Sequence, residues 1–466
     1  MRNIILVILI LPLFGSGQSW SDTALAIDKV MSVYAADKPG CQLSVSRDGR
    51  ILYSKAFGMA ELEHGIPMST EAPTEAGSVS KQFTAAAILL LAQEGKLNVN
   101  DDIRKYFPEL PDLGHRIRIS NLLHHTSGLR DWGAVSAITG WPRSTKNYTN
   151  EDVLAIVAAQ RALNFEPGAE YGYSNSNFNL LAILVQRLSG KTLAEFTRER
   201  IFVPAGMTHT QWRDDHNRIV PGRAIAYDRI NGGFVTDMPE EDAYGNGGLL
   251  TTTEDLLKWQ AFYLSGKLGG TTLLEQQLHV EKLNSGVLNG YAAGLMLTFD
   301  GNRLTDISHS GSTAGYRANL EHLIDQHLTI AWLANSSLLD TAKMKPAARV
   351  RNIFHTDATP NGNSGEAIAR TSSPSFVPVD TGKVIGSYYS PDTRSTLVIF
   401  TRNGRLELLV KPGRTIGLVQ KASSEFDIPE WRGTVRFTFG KKGKAEALYI
   451  TIDRARNVKF ERITDR

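Results

Sequence analysis

A hydroxyl and an ammonium stand three residues apart in Ser78-Val79-Ser80-Lys81. On a helix that spacing puts both on one face. The serine can then attack a carbonyl, the lysine can ease removal of its proton, and the helix N-terminus favours developing negative charge. The same pair also suits an N-capping serine beside a solvated lysine, because Ser-x-x-Lys is a common pattern. Further along, Tyr173 and Asn175 sit two apart in the loop Phe165–Asn175, which places both side chains toward one cavity. Taken alone they fit a structural tyrosine and a turn-forming asparagine. A third pair, His309 and Gly311, precedes the apolar strand Leu328–Asn335, and His309 alone fits a structural histidine. Gly311 on a strand edge would let a ligand's backbone approach closely.

The elements that must position these groups are legible around them. Ser78–Glu94 reads as a helix, Ala- and Leu-rich, uninterrupted by Pro and stopped at Gly95. Because Ala85–Ala92 is apolar on every side, this helix belongs in the interior. Two alternating runs, Cys41–Ser46 and Arg50–Gly58, flank Asp48-Gly49 and predict a hairpin. Ile119–Leu129 predicts a short helix ended by Gly128. Its adjacent His124 and His125 would point about 100° apart, poorly placed to share a metal, and read as structural. A second apolar helix is expected over Asn179–Leu188, and Gly245–Gly248 reads as a flexible loop before a threonine-capped helix start.

Length and composition set the frame. A chain of 466 residues exceeds one ordinary core, so two domains are expected. With 42% hydrophobic and 21% charged residues it is globular. Its 51 basic and 48 acidic residues give a net charge of +3, with no basic run, and no nucleic-acid partner is implied. The single cysteine, Cys41, excludes an intrachain disulfide and a cysteine-rich zinc site. The nearest match to a nucleophile elbow, Gly311-Ser312-Thr313-Ala314-Gly315, has threonine at its centre. Arg2, the apolar run Ile4–Phe14 and the small residues that follow predict a signal peptide over 1–17, with an uncleaved anchor as the alternative. The expected product is secreted or periplasmic, begins near Gln18, and has no membrane span after cleavage. Residues 22–356 would form the main domain and 357–378, poor in apolar residues, a linker. Residues 379–466, with short alternating runs and Asn403-Gly404 between two of them, would form a small β-barrel-like domain.

In order and combination, Ser78-x-x-Lys81, Tyr173-x-Asn175 and His309-x-Gly311 resemble the class C β-lactamase-like serine hydrolases. That group includes penicillin-binding D,D-peptidases, D-aminopeptidases and carboxyl esterases. The flanks Leu122–Leu129, Phe165–Gly168 and Gly247–Leu249 share the resemblance, which runs from about Leu43 to Asn335. It implies an α+β, β-lactamase/transpeptidase-like fold: an antiparallel sheet flanked by helices, beside a helical subdomain, with the site between them. The last region is similar to a C-terminal all-β lipocalin-like domain. The resemblance further implies that Ser78 forms an acyl-enzyme and that Lys81 lowers the proton affinity of Tyr173, the general base and acid. Asn175 would hold Lys81 and substrate, the backbone N–H groups of Ser78 and Ser312 would form the oxyanion hole, and His309 would bond the tyrosine side of the site. β-Lactamases of this class usually carry lysine where His309 stands. The expected substrates are therefore D-amino-acid peptides or carboxylic esters more than β-lactams. A β-lactamase or D,D-carboxypeptidase, a transacylase, and a non-catalytic cell-wall peptide binder or sensor are the alternatives. No metal or cofactor is called for, the partner is a small-molecule or peptide substrate, and oligomeric state is not legible.

Overall fold

Asp48 and Gly49 carry positive φ values of 49° and 75°, and they turn strand β1 (Cys41–Arg47) back into β2 (Arg50–Phe57). Four further strands extend this hairpin: β3 (Met296–Asp300), β4 (Arg303–Thr313), β5 (Tyr316–Leu323) and β6 (Leu328–Ala334). Their spatial order is β3-β4-β5-β6-β1-β2, each neighbouring pair antiparallel. β6 is buried along its whole length because both faces are covered. Leu328, Ile330 and Trp332 pack with Ile27 and Met31 of helix α1 (Trp20–Met31) and with Val350. Ala331 and Leu333 turn instead toward a larger core that includes Trp259 and Phe83.

The computed structural model describes residues 20–338, 345–354 and 379–463. The expected signal peptide and linker lie outside the described residues. No helix among the described residues is long and apolar enough to cross a membrane.

Helix α2 (Lys81–Gln93) is the centre of the larger core, with Lys81 through Leu91 all buried, as its all-round apolar pattern requires. The expected helix differs at its start. Gly77–Ser80 forms a tight 3₁₀ turn, so the serine and lysine belong to different helical segments. Helix α3 (Trp132–Ile138) follows, and α4 (Asn175–Ser189) packs beside α2. α4 begins four residues ahead of the expected Asn179. Its opening polar residues are bonded to distant parts of the chain rather than to water: Asn175 N–H to Asp131 Oδ2 at 2.7 Å, and Ser176 Oγ to the Arg130 carbonyl at 2.8 Å.

The C-terminal part is a nine-stranded antiparallel meander. Its strands are β7 (Gly386–Ser390), β8 (Ser395–Arg402), β9 (Arg405–Lys411), β10 (Arg414–Gly417), β11 (Val419–Ala422), β12 (Glu425–Ile428), β13 (Gly433–Phe439), β14 (Ala445–Ile452) and β15 (Ala455–Arg462). β15 pairs with β7, and the two ends of the pairing order, β10 and β11, are separated in the chain by Leu418 alone. The sheet is therefore nearly closed and barrel-like. Alternate residues such as Leu406, Leu408 and Val410 point inward.

This barrel is packed against the preceding part of the chain. Val135 and Ile138 of α3 complete its core. Arg130, 2% exposed, donates to Asp392 Oδ2 at 2.7 Å and to the Arg456 and Asn457 carbonyls at 3.1 and 3.2 Å. Removing one partner of a buried ion pair leaves the other charge uncompensated, which typically costs about 3–5 kcal/mol. Asp392→Ala is thus expected to lower stability by an amount of that order in urea unfolding. A loss below about 1 kcal/mol, the range of exposed pairs, would show that this pair does not hold the two parts together.

Candidate active site

Two glycines bring the Ser78 turn against β4. A Cβ on Gly77, whose φ is +49°, would lie 2.7 Å from the Ser312 nitrogen. One on Gly311 would lie 2.0 Å from the Ala76 carbonyl oxygen and 3.1 Å from the Ser78 nitrogen. The space at Gly311 thus admits the protein's own backbone, not a ligand's as the sequence suggested, and it sets the Ser78 turn beside Ser312. β3 pairs with β4 only as far as Ser308, so His309–Thr313 overhang it and leave one strand edge open to the cleft.

Ser78 Oγ lies 3.1 Å from Lys81 Nζ and 2.8 Å from the Tyr173 hydroxyl. Lys81 Nζ also reaches Asn175 Oδ1 at 3.0 Å and the Asn246 carbonyl at 2.5 Å. Ser78, Lys81, Tyr173 and Asn175 are therefore one hydrogen-bonded group at the end of a cleft of about 420 Å³, which Gly311, Ser312 and His309 also line. Lys81 is fully buried, and burial, reinforced by Arg143 and Arg454, holds its ammonium well below its ordinary range. Burial pushes the Tyr173 phenol the other way, above its ordinary value, against the opposing pull of the Ser78 hydrogen bond and the Arg454 charge. The resemblance implied that Lys81 lowers the proton affinity of Tyr173; the largest influence on the phenol here is its own burial, which raises it.

His309, 3% exposed, meets Tyr291 rather than Tyr173. Its Nε2 is 3.0 Å from the Tyr291 hydroxyl and its Nδ1 is 2.6 Å from the Ser310 carbonyl. Nδ1–H donating to the carbonyl and Nε2 accepting from the phenol satisfies both nitrogens of a neutral ring. Burial, with Lys81 nearby, pushes its pKa down to about 3, so acidification to pH 6 leaves it uncharged. His125 is structural, as the sequence suggested: it is fully buried, and its ring lies 4.3 Å from that of Tyr173, tilted by 40°. Its Nδ1 accepts from Asn177 Nδ2 at 3.1 Å.

Arg143, Tyr171, Asn246, Tyr291 and Arg454 also line the cleft. Asn246 had a local signal in its glycine-rich loop, and Tyr171 had one in the alternation it shares with Tyr173 and Asn175. Arg143, Tyr291 and Arg454 are single residues in stretches with no pattern that points to Ser78. Among the described residues, Glu61, Glu63 and His64 and, separately, Asp215, His216 and Asp242 have the spacing to offer metal ligands, and neither group lines the cleft.

An antiparallel sheet and a helical body that close on a serine, a buried lysine and a tyrosine define a class of acyl-transfer enzyme. Residues 27–352 match the profile of the family described as Beta-lactamase, and the chain belongs to that family, a serine hydrolase of the β-lactamase-like type. It is 29% identical over 416 residues to penicillin-binding protein 4* of Bacillus subtilis (strain 168), covering 84% of this chain and 88% of that one. It is also 29% identical over 299 residues to a D-aminopeptidase of Brucella anthropi, there spanning 64% of this chain and 56% of the relative. Among solved structures, the octameric penicillin-binding protein homologue from Pyrococcus abyssi superposes with a TM-score of 0.60 at 21% identity, over 95% of this chain and 100% of that one. The D-amino acid amidase from Ochrobactrum anthropi SV3 gives 0.58 at 21% identity, over 72% and 99%. These likenesses extend the β-lactamase/transpeptidase-like fold to this chain.

Proposed function

We infer that this is an exported serine hydrolase that cleaves an ester or amide through a Ser78 acyl-enzyme, with D-amino-acid peptides or carboxylic esters preferred over β-lactams. The observation that carries the reading is Ser78 Oγ held between Lys81 Nζ at 3.1 Å and the Tyr173 hydroxyl at 2.8 Å. Burial rather than donor counting favours a neutral Lys81, since three acceptors, Ser78 Oγ, Asn175 Oδ1 and the Asn246 carbonyl, also match the three N–H groups of an ammonium. A neutral Lys81 amine has two N–H groups for Asn175 Oδ1 and the Asn246 carbonyl, and a lone pair for the Ser78 hydroxyl. Tyr173 O–H then donates to Ser78 Oγ. The direction in which burial moves both groups supports this state over a Tyr173 phenolate.

As Oγ attacks the carbonyl carbon, its proton passes to Lys81, and the new oxyanion meets the backbone N–H groups of Ser78 and Ser312. Tyr173 protonates the departing nitrogen or oxygen, and the proton held by Lys81 restores the phenol. Water then reverses the sequence on the acyl-enzyme. The name of one relative, a D-aminopeptidase, supports amide and peptide substrates, and that of another, a penicillin-binding protein, supports binding of a β-lactam at such a site. The nearly closed C-terminal meander supports a lipocalin-like reading of residues 379–466, joined to a hydrolase domain over 22–356 by the segment 357–378.

The test is kcat/KM on a p-nitrophenyl ester, a D-amino-acid amide, a D-Ala-D-Ala peptide and a chromogenic cephalosporin. Neutral His309 offers no fixed charge on β4, and a charge-assisted hydrogen bond is worth roughly 10–150-fold in binding. The cephalosporin should therefore trail the ester, and His309→Lys should narrow the gap from the cephalosporin side. A wild-type enzyme that turns over the cephalosporin as well as the ester would be a β-lactamase in practice.

A further inference from the structure

The His309 strand brings no fixed charge to the cleft, yet two guanidinium groups line it, Arg143 and Arg454. Arg143 is committed. Its Nε donates to Glu241 Oε2 at 3.0 Å, its Nη2 bonds the other carboxylate oxygen, and its guanidinium lies 5.2 Å from the Trp132 ring centroid. Arg454 comes from the barrel, in the turn Asp453-Arg454 that joins β14 to β15. That turn is anchored: the Arg454 carbonyl accepts from Asp131 N–H at 3.1 Å and from Asn164 Nδ2 at 2.9 Å. The guanidinium itself stands 4.8 Å from the centroid of the Tyr173 ring. Its ion-pair partner is the adjacent Asp453, at 3.3 Å and 72% exposed. A pair so exposed to water is weak, and the cation can exchange it for another carboxylate.

We propose that Arg454 is a specificity-determining residue that holds a carboxylate on the leaving group of the substrate. This rests on the acyl-enzyme reading above. The side of the cleft follows from Tyr173, whose hydroxyl is 2.8 Å from Ser78 Oγ and hands its proton to the departing atom. A leaving group protonated there lies alongside the Tyr173 ring, where the guanidinium is. A C-terminal amino acid leaves with its carboxylate close to the nitrogen that takes up the proton, and arginine grips a carboxylate through two parallel N–H bonds. The reaction is plain hydrolysis: the acyl carbon gains the hydroxyl of water and the departing nitrogen gains the hydrogen. A bicyclic β-lactam fixes its carboxylate relative to the carbonyl, whereas an acyclic leaving group can turn its own toward Arg454. The barrel thus supplies a charge that β4 lacks, and the substrates selected are peptides with a free C-terminus.

The experiment compares kcat/KM for an N-acyl-D-alanyl-D-alanine with that for the same peptide ending in a carboxamide, using the full chain. Wild type should prefer the acid. Arg454→Gln should lower the acid-to-amide ratio roughly 10–100-fold, and Arg454→Lys should recover part of it. An unchanged ratio in Arg454→Gln, whether both rates fall together or neither moves, would overturn the proposal. So would a wild type that cleaves the amide at least as well as the acid. Fluorophosphonate labelling of Ser78 in the same preparations separates the two readings. A labelled enzyme that fails the ratio test sinks only the role of Arg454, and an unlabelled one sinks the acyl-enzyme with it.

Discussion

Ser78→Ala is expected to abolish fluorophosphonate labelling and to lower ester turnover by a factor on the order of 10⁴–10⁶, the scale seen when a serine hydrolase loses its nucleophile. Ser80→Ala should keep the label. On a regular helix, two residues along, Ser80 would lie about 200° round from Ser78. The 3₁₀ turn changes that geometry, and hydrogen bonding gives the stronger reason. Ser80 is fully buried, its Oγ donates to the Gly77 carbonyl at 2.5 Å and accepts from Leu249 N–H at 3.1 Å. It holds the turn against the strand Leu249–Thr251 and has no path to the cleft. Ser80→Ala leaves the Leu249 N–H unsatisfied, a loss of about 1–3 kcal/mol in stability. The expected pattern is a less stable protein that still labels, beside a stable one that does not. Labelling lost in Ser80→Ala and retained in Ser78→Ala would mean that the motif has been read in the wrong register.

What could be read without coordinates was local. Asp48-Gly49 between alternating runs gave the hairpin, and an unbroken Ala/Leu stretch gave the buried α2, because both rest on short-range sterics and periodicity. The alternation after residue 379 likewise anticipated a barrel-like sheet. Errors arose where long-range bonds override propensity. Asn175-Ser176-Asn177 is a poor helix start by composition, yet Asp131, Arg130 and His125 satisfy those residues from elsewhere and extend α4. Gly311 invited a ligand, but the occupant of its space, the Ala76 carbonyl, is far away in sequence. Tyr291 was invisible for a similar reason. Nothing near it in the chain shows that its hydroxyl will meet His309. The upward push on the Tyr173 phenol is a burial effect, and side-chain burial in a cleft leaves no periodic trace.

Lys81→Met and Lys81→Arg together decide which job the lysine does. If Lys81 takes the Ser78 proton, it must be neutral for the attack, and general-base catalysis of this kind is typically worth about 10²–10⁴-fold. Lys81→Met is close in volume and removes the lone pair, so kcat/KM for a p-nitrophenyl ester should fall by about that factor. Arginine keeps a cation but cannot give up its proton at working pH, so Lys81→Arg should fall comparably. If Lys81 were instead a fixed cation that lowers the phenol of Tyr173, arginine would retain much of the activity. The pH profile supplies a readout that bad packing would not mimic. Because burial depresses the folded pKa of Lys81, its neutral fraction grows as pH rises through a value well below 10.5. The wild-type rate should climb along that limb, and residual activity in Lys81→Met should lack it. His309, held near 3, contributes no inflection between pH 5 and 8 to confuse the reading. A Lys81→Arg enzyme within about tenfold of wild type, with the acid limb intact, would return the base role to Tyr173 and leave Lys81 as its electrostatic partner.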